Sequence, residues 1–122
     1  ACPASKFSPA GGPVIFSTTE LDTLARPGVP GGLRGLSAYM SSNMRYPEDA
    51  RRRDIQGPVQ LQFVIEESGT ISNLYATRDL GGGCAGEAMR LVRSICWEPA
   101  VKNGSAVRSA ITVDILFKLP DP

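Results

Sequence analysis

The chain has 122 residues, 42% of them hydrophobic, and a formal charge of +1 at neutral pH. That length supports one compact core and not two, and the near-neutral charge argues against nucleic acid as a partner held by bulk electrostatics. Histidine is absent, which removes Ser–His and Cys–His nucleophile pairs, His-ligated zinc and the commonest general acid–base at one stroke. The three cysteines, Cys2, Cys84 and Cys96, have none of the paired spacings of a zinc site or a redox CxxC. No stretch approaches the apolar run of a membrane span, and the start lacks the basic-then-apolar order of a signal peptide.

Residues 1–30 carry Pro3, Pro9, Pro13, Pro27 and Pro30, with a glycine pair at 11–12. Little regular structure is expected there, so this part reads as an N-terminal extension or linker. Val14-Ile15-Phe16 is the exception, a short apolar run able to add a strand. The domain proper spans 31–122. Leu33, Leu36, Met40 and Met44 recur at helical spacing and predict an amphipathic helix that Pro47 ends. A further turn of helix follows over 48–53. From Val59 the period becomes two: Val59, Leu61, Phe63 and Ile65 point one way, Gln60, Gln62 and Glu66 the other. Glu66 to Gly69 supplies turn chemistry, and Ile71 to Thr77 reads as the returning strand of a hairpin. Ile71 is out of phase with Leu74 and Ala76, which predicts a bulge near Asn73.

Ala85, Ala88, Met89, Val92, Ile95 and Cys96 predict a second amphipathic helix after Gly81-Gly82-Gly83. Pro99 follows its end and Asn103-Gly104 marks another turn. Val107, Ile111, Val113, Ile115, Phe117 and Leu119 then alternate with polar residues in the longest strand. The order helix, strand, strand, helix, strand gives an α+β fold, a three-stranded antiparallel sheet packed against two helices.

Each chemical feature has a plainer explanation. Arg51-Arg52-Arg53 lies among Glu48, Asp49 and Asp54 and reads as a solvated charged face. The triple glycine lacks the Lys-Ser/Thr of a phosphate loop. Glu66 and Glu67 sit in a turn, where solvation accounts for them. Cys84, at a helix N-terminus, is the best case for a thiol with a lowered pKa and hence for a thiol-active protein. Cys84 and Cys96 bracket one helix, so twelve residues at 1.5 Å hold them roughly 18 Å apart, beyond the ~7 Å that a disulfide tolerates. Cys2 can pair with either if the extension folds back.

Tyr46-Pro47, Ala50, Gly57, Val59, the strand "QLQFVI", Gly69 before "ISNL", Trp97-Glu98-Pro99-Ala100, Asn103-Gly104 and the closing "ITVDILFKL" form an ordered set. Over roughly residues 31–119 that set resembles the C-terminal domain of TonB-type energy transducers. The resemblance implies a periplasmic interaction domain, not an enzyme and without a cofactor. It implies two kinds of partner, the TonB box of outer-membrane transporters and, through an N-terminal inner-membrane anchor, the proton-channel proteins that energise the transducer. The alternative is the same domain serving a soluble, lipoprotein or sensor protein. In the family the last strand lies beside the second strand of the hairpin and leaves its outer edge open. The segment before Tyr-Pro touches the transporter. Carried onto this chain, the partner-binding residues are Asn43, Met44, Arg45, Tyr46 and Pro47 with Ile111, Thr112, Val113, Asp114, Ile115, Leu116 and Phe117. The open edge also allows a homodimer when no peptide is bound.

Overall fold

The computed structural model of the chain describes residue 2 and residues 7–119. In chain order its elements are β1 (Ile15–Phe16), β2 (Arg26–Pro27), α1 (Leu36–Asn43), α2 (Glu48–Arg52), β3 (Gly57–Ile65), β4 (Ile71–Arg78), α3 (Cys84–Arg93), β5 (Trp97–Glu98), β6 (Ala100–Lys102) and β7 (Ser105–Phe117). Short 3-10 turns at Thr18–Glu20 and Gly32–Gly35 complete the set. The antiparallel trio expected from the sequence is β7, β3 and β4, with β1 added parallel to β7, β6 paired to the start of β7, and β2 paired apart with β5.

Strand order departs from the expectation. β7 runs beside β3, from Gly57↔Phe117 to Ile65↔Ser109, and not beside the returning strand β4. β3 is thereby the central strand, paired on both sides, and it is the more deeply buried of the hairpin pair, with Phe63, Val64 and Ile65 buried in succession. β4 is half-exposed and takes the edge. Its register shifts opposite Gln62 and Val64, and Asn73 adopts a positive φ of 53°, as the broken alternation predicted.

The core sits between this sheet and α3. Val59, Leu61, Phe63 and Ile65 of β3 and Val113, Ile115 and Phe117 of β7 meet Ala88, Leu91 and Val92 of α3. Trp97 closes one end, 5% exposed, with its ring edge-on to Phe63 at 5.4 Å. Gly69 shows why the hairpin turn needs glycine: φ is +88°, and a Cβ there would lie 2.4 Å from the Trp97 carbonyl oxygen. α1 contributes Met40 to the core and is tied to α3 by the Tyr39 hydroxyl and Ser94 Oγ, 3.0 Å apart.

The described part of the extension lies on the domain. Ala25 and Pro27 are buried, Pro27 pairs with Trp97, Thr23 exchanges backbone hydrogen bonds with Val101, and Cys2 is disulfide-bonded to Cys96. Cys84 is the free thiol. Glu66 and Glu67, which the sequence placed in a solvated turn, are instead the posts to which the extension is tied. The Gly11 N–H donates to Glu67 Oε2 at 2.7 Å. Arg108 donates from Nε to Glu66 Oε1 at 2.6 Å, from Nη2 to Glu66 Oε2 at 3.1 Å, and from Nη1 to the Pro13 carbonyl at 3.0 Å. Such partners lie far away in sequence, where local turn chemistry cannot show them.

The hydrogen bonds from Arg108 and Ser72 hold the Glu66 carboxyl below its ordinary range, against the opposing effect of burial. A depressed folded pKa means that this contribution to stability is present above the unfolded value of about 4.3 and is lost as pH falls through the folded value. Glu66→Gln is therefore expected to flatten the decline of melting temperature between neutral and acid pH. Superimposable pH profiles for the two proteins would contradict this assignment.

A groove between α1 and the free edge of β7

Ser109 pairs with Ile65 of β3 on one side and with Phe16 of β1 on the other. Beyond it, among the described residues, no strand lies on the side of β7 away from β3. The backbone there presents N–H and C=O groups without a ladder partner, a ready template for an added strand. Alongside runs a groove of about 440 Å³, walled on the helical side by Leu33, Leu36, Met40 and Met44 and on the strand side by Val113 to Leu116 and Lys118. Leu116 is 61% exposed and Leu33 43%. An extended chain laid here would find backbone partners on one side and apolar side chains on the other.

The structure thus brings Met44 and Val113, Asp114, Ile115 and Leu116 to one place. Val113 and Ile115 point into the core, while Thr112, Asp114 and Leu116 point outward. Asp114 accepts a hydrogen bond from Gln60 Nε2 at 3.1 Å. Ile111 is half-buried against the core. Phe117 is fully buried, edge-on to Tyr46 at 5.6 Å, and the Tyr46 hydroxyl donates to the Ile55 carbonyl. Burial, with the charges of Cys84 and Asp54, raises the Tyr46 pKa. Tyr46 and Phe117 therefore fix the frame.

Pro47 has a different local role from the one expected. α1 ends earlier, at Asn43, the chain then runs extended, and Pro47 is the N-cap of α2 with φ −58° and ψ 134°. Asn43 is turned inward along its own helix, Nδ2 donating to the Tyr39 carbonyl at 2.9 Å. Its carbonyl accepts from Arg90 Nη2 at 3.0 Å, and the Arg45 N–H donates to Glu87 Oε2 at 2.5 Å. Glu87 and Arg90 also pair with each other at 2.7 Å. Burial opposes ionisation of Glu87 as the largest single influence, but the hydrogen bonds and charges of Arg90 and Arg45 together outweigh it and lower the pKa. The segment before Tyr46 is thus clamped by its backbone to α3, and the Arg45 side chain stays exposed.

Sequence reasoning missed the helical wall. Leu33, Leu36, Met40 and Met44 read as the apolar stripe of one amphipathic helix, with Met44 alone also placed at the partner contact, yet Met40 alone of the four is buried. Ser37 and Ser41, one turn apart and also lining the groove, are the available signal that this side of the helix is left open. The charged neighbours behave as read: Arg52 and Arg53 pair with Asp49 at 3.7 and 3.0 Å on an exposed face.

Cys84 lacks the lowered pKa expected of a reactive thiol. The residue is fully buried, and desolvation, with the nearby Asp79 charge, raises its pKa. A raised pKa suppresses the nucleophilic thiolate. Alkylation of Cys84 in the folded protein at neutral pH is expected to be at least about tenfold slower than in the denatured chain. Equal rates would restore a reactive-thiol role.

The family model for the Gram-negative bacterial TonB protein C-terminal matches residues 42–119. The chain belongs to this family. The matched span holds the trio of long strands, α3 and the end of α1, and so includes the whole strand side of the groove. Among solved structures, the solution NMR structure of the Pseudomonas aeruginosa TonB CTD aligns with a TM-score of 0.53 at 19% identity, covering 90% of this chain and 99% of that one. At that identity the likeness is one of fold. A search of curated proteins finds no match. No helix among the described residues is long and apolar enough to cross a membrane.

Proposed function

We propose that this TonB-like domain works in the periplasm as the gripping end of an energy transducer, binding the TonB box of outer-membrane transporters as a strand added to Ile111–Phe117 of β7. The observation that carries this reading is the free edge of β7 lying beside the apolar groove. The other outer strand, β4, is less suited, because its bulge at Asn73 twists the edge away from regular pairing. An added strand gains several backbone hydrogen bonds, each worth about 0.5–1.5 kcal/mol net, and places alternate side chains against Leu116 and the α1 wall. Modest affinity results, suited to a grip that must let go.

Force enters from the other end. The reading places inner-membrane proton-channel partners on an anchor that precedes the domain in the transducer, and tension then passes along β7 to the bound peptide. Without peptide, the same edge supports pairing of two copies at high concentration. Calorimetry with TonB-box peptides tests the reading: saturable binding is expected, and uniform failure of such peptides to bind would discard it.

A further inference from the structure

Cys96 is the base of a closed loop. Cys2 is bonded to it through sulfur, and Gly28 returns to it, donating its N–H to the Cys96 carbonyl at 2.8 Å. Between these two points the chain lays β1 against Arg108 and Ser109 of β7, on the side away from β3 at Ser109. Phe16 therefore abuts the first residue of the free edge. Besides the backbone pairing of Ser8 and Ala10 with Ala106, the β1–β7 pairing and the bonds of Gly11 and Pro13, two anchors of different kinds hold the ends of this loop. Near Gly28 the anchor is packing, with Ala25 and Pro27 buried. Near Cys2 it is covalent, and from 7 to 20 the described side chains are exposed apart from the half-buried Phe16. A segment with so little burial separates from the domain at low cost once one of its ends is freed. The disulfide is reachable, Cys2 being exposed and Cys96 half-buried.

We propose that the extension is a disulfide-latched stop at the upstream end of the β7 edge. With the latch closed, a strand added to β7 ends at Ala110. With it open, β1 leaves and the added strand extends to Arg108. Opening is a two-electron reduction: a dithiol gives up two electrons and two protons, Cys2 and Cys96 become thiols, and the dithiol becomes its cyclic disulfide. The Glu66–Arg108 pair joins β7 to the hairpin turn and stays in place, whereas the bonds from Gly11 and to Pro13 are lost with the extension. The latch itself is independent of what binds β7. Only its effect on the length of the added strand rests on the docking reading above.

Hydrogen exchange on the full chain separates the two. The Ala106 N–H donates to Ser8 O at 2.8 Å and reports the extension, and the Glu66 N–H donates to Thr70 O at 2.8 Å and reports the hairpin. Dithiothreitol treatment or Cys2→Ser is expected to speed exchange at Ala106 at least tenfold and to leave Glu66 unchanged. Unchanged Ala106 after thiol counting has shown the bond open would overturn the latch. So would equal acceleration at both amides, because the disulfide would then hold the whole fold and not this segment. In a second arm, synthetic peptides copying N-terminal segments of outer-membrane transporters are added to both forms. Protection of the Arg108 N–H by peptide in the reduced form alone supports the stop, and the same footprint in both forms refutes it. If no peptide binds either form, the docking reading falls and the stop with it, while Ala106 still decides the latch.

Discussion

Trp97→Ala unfolds the domain or lowers its melting temperature by about 10 °C or more. The ring is buried against Phe63, its Nε1 donates to the Val92 carbonyl at 3.0 Å, and its backbone pairs with Pro27. Truncation leaves a cavity where sheet, α3 and extension meet, and aromatic-to-alanine changes in cores cost about 3–5 kcal/mol. Against the roughly 5–15 kcal/mol that holds a domain folded, that is a large share. Loss of the indole hydrogen bond adds to the cost, leaving the Val92 carbonyl with the Ile95 N–H at 3.4 Å. A melting temperature within two or three degrees of wild type would show that the ring is not the keystone that its contacts describe.

Proline at Thr112 or Asp114 abolishes peptide binding at a smaller cost in stability than Trp97→Ala. Along β7, N–H groups alternate between β3 and the free side, and a proline whose nitrogen faces the free side removes a donor needed by the added strand while the β3–β7 ladder survives. Both positions carry exposed side chains, so no core contact is lost. Leu116→Asp is the companion change, placing a charge on the 61% exposed residue that the groove offers to the partner. Calorimetry for binding and thermal melting for stability read the two effects separately. Full affinity in all three variants would move the site elsewhere.

Much of this fold is legible in the sequence because its signals are local. Period two in "QLQFVI", glycine at 69, the broken alternation at Asn73 and the apolar spacing of α3 each name an element, and each is found where its pattern lies. Position of β7 was legible only in part. Its two possible neighbours follow from the hairpin, but the choice between them rests on pairing across some fifty residues, which no local pattern in β3 or β4 encodes. The extension resisted reading for a different reason. Prolines do forbid long regular elements there, yet they do not forbid docking by single bridges to Ala106, Val101 and Trp97, some 70 to 100 residues away. The candidate site divides in the same way: its strand side follows from the alternation of β7, whereas a core stripe and a groove wall look alike in an amphipathic pattern, so Leu33 and Leu36 gave no sign of the groove.

The claim on which the rest depends is that a partner strand pairs with the free side of β7. Isotope-edited NMR of the domain with a bound TonB-box peptide tests it by recording backbone contacts between the two chains. The account predicts a ladder of contacts from the peptide to residues 111–117, with side-chain contacts to Leu116 and Met44. A ladder to Ile71–Arg78 of β4, or contacts confined to side chains with no backbone pairing at β7, would contradict it.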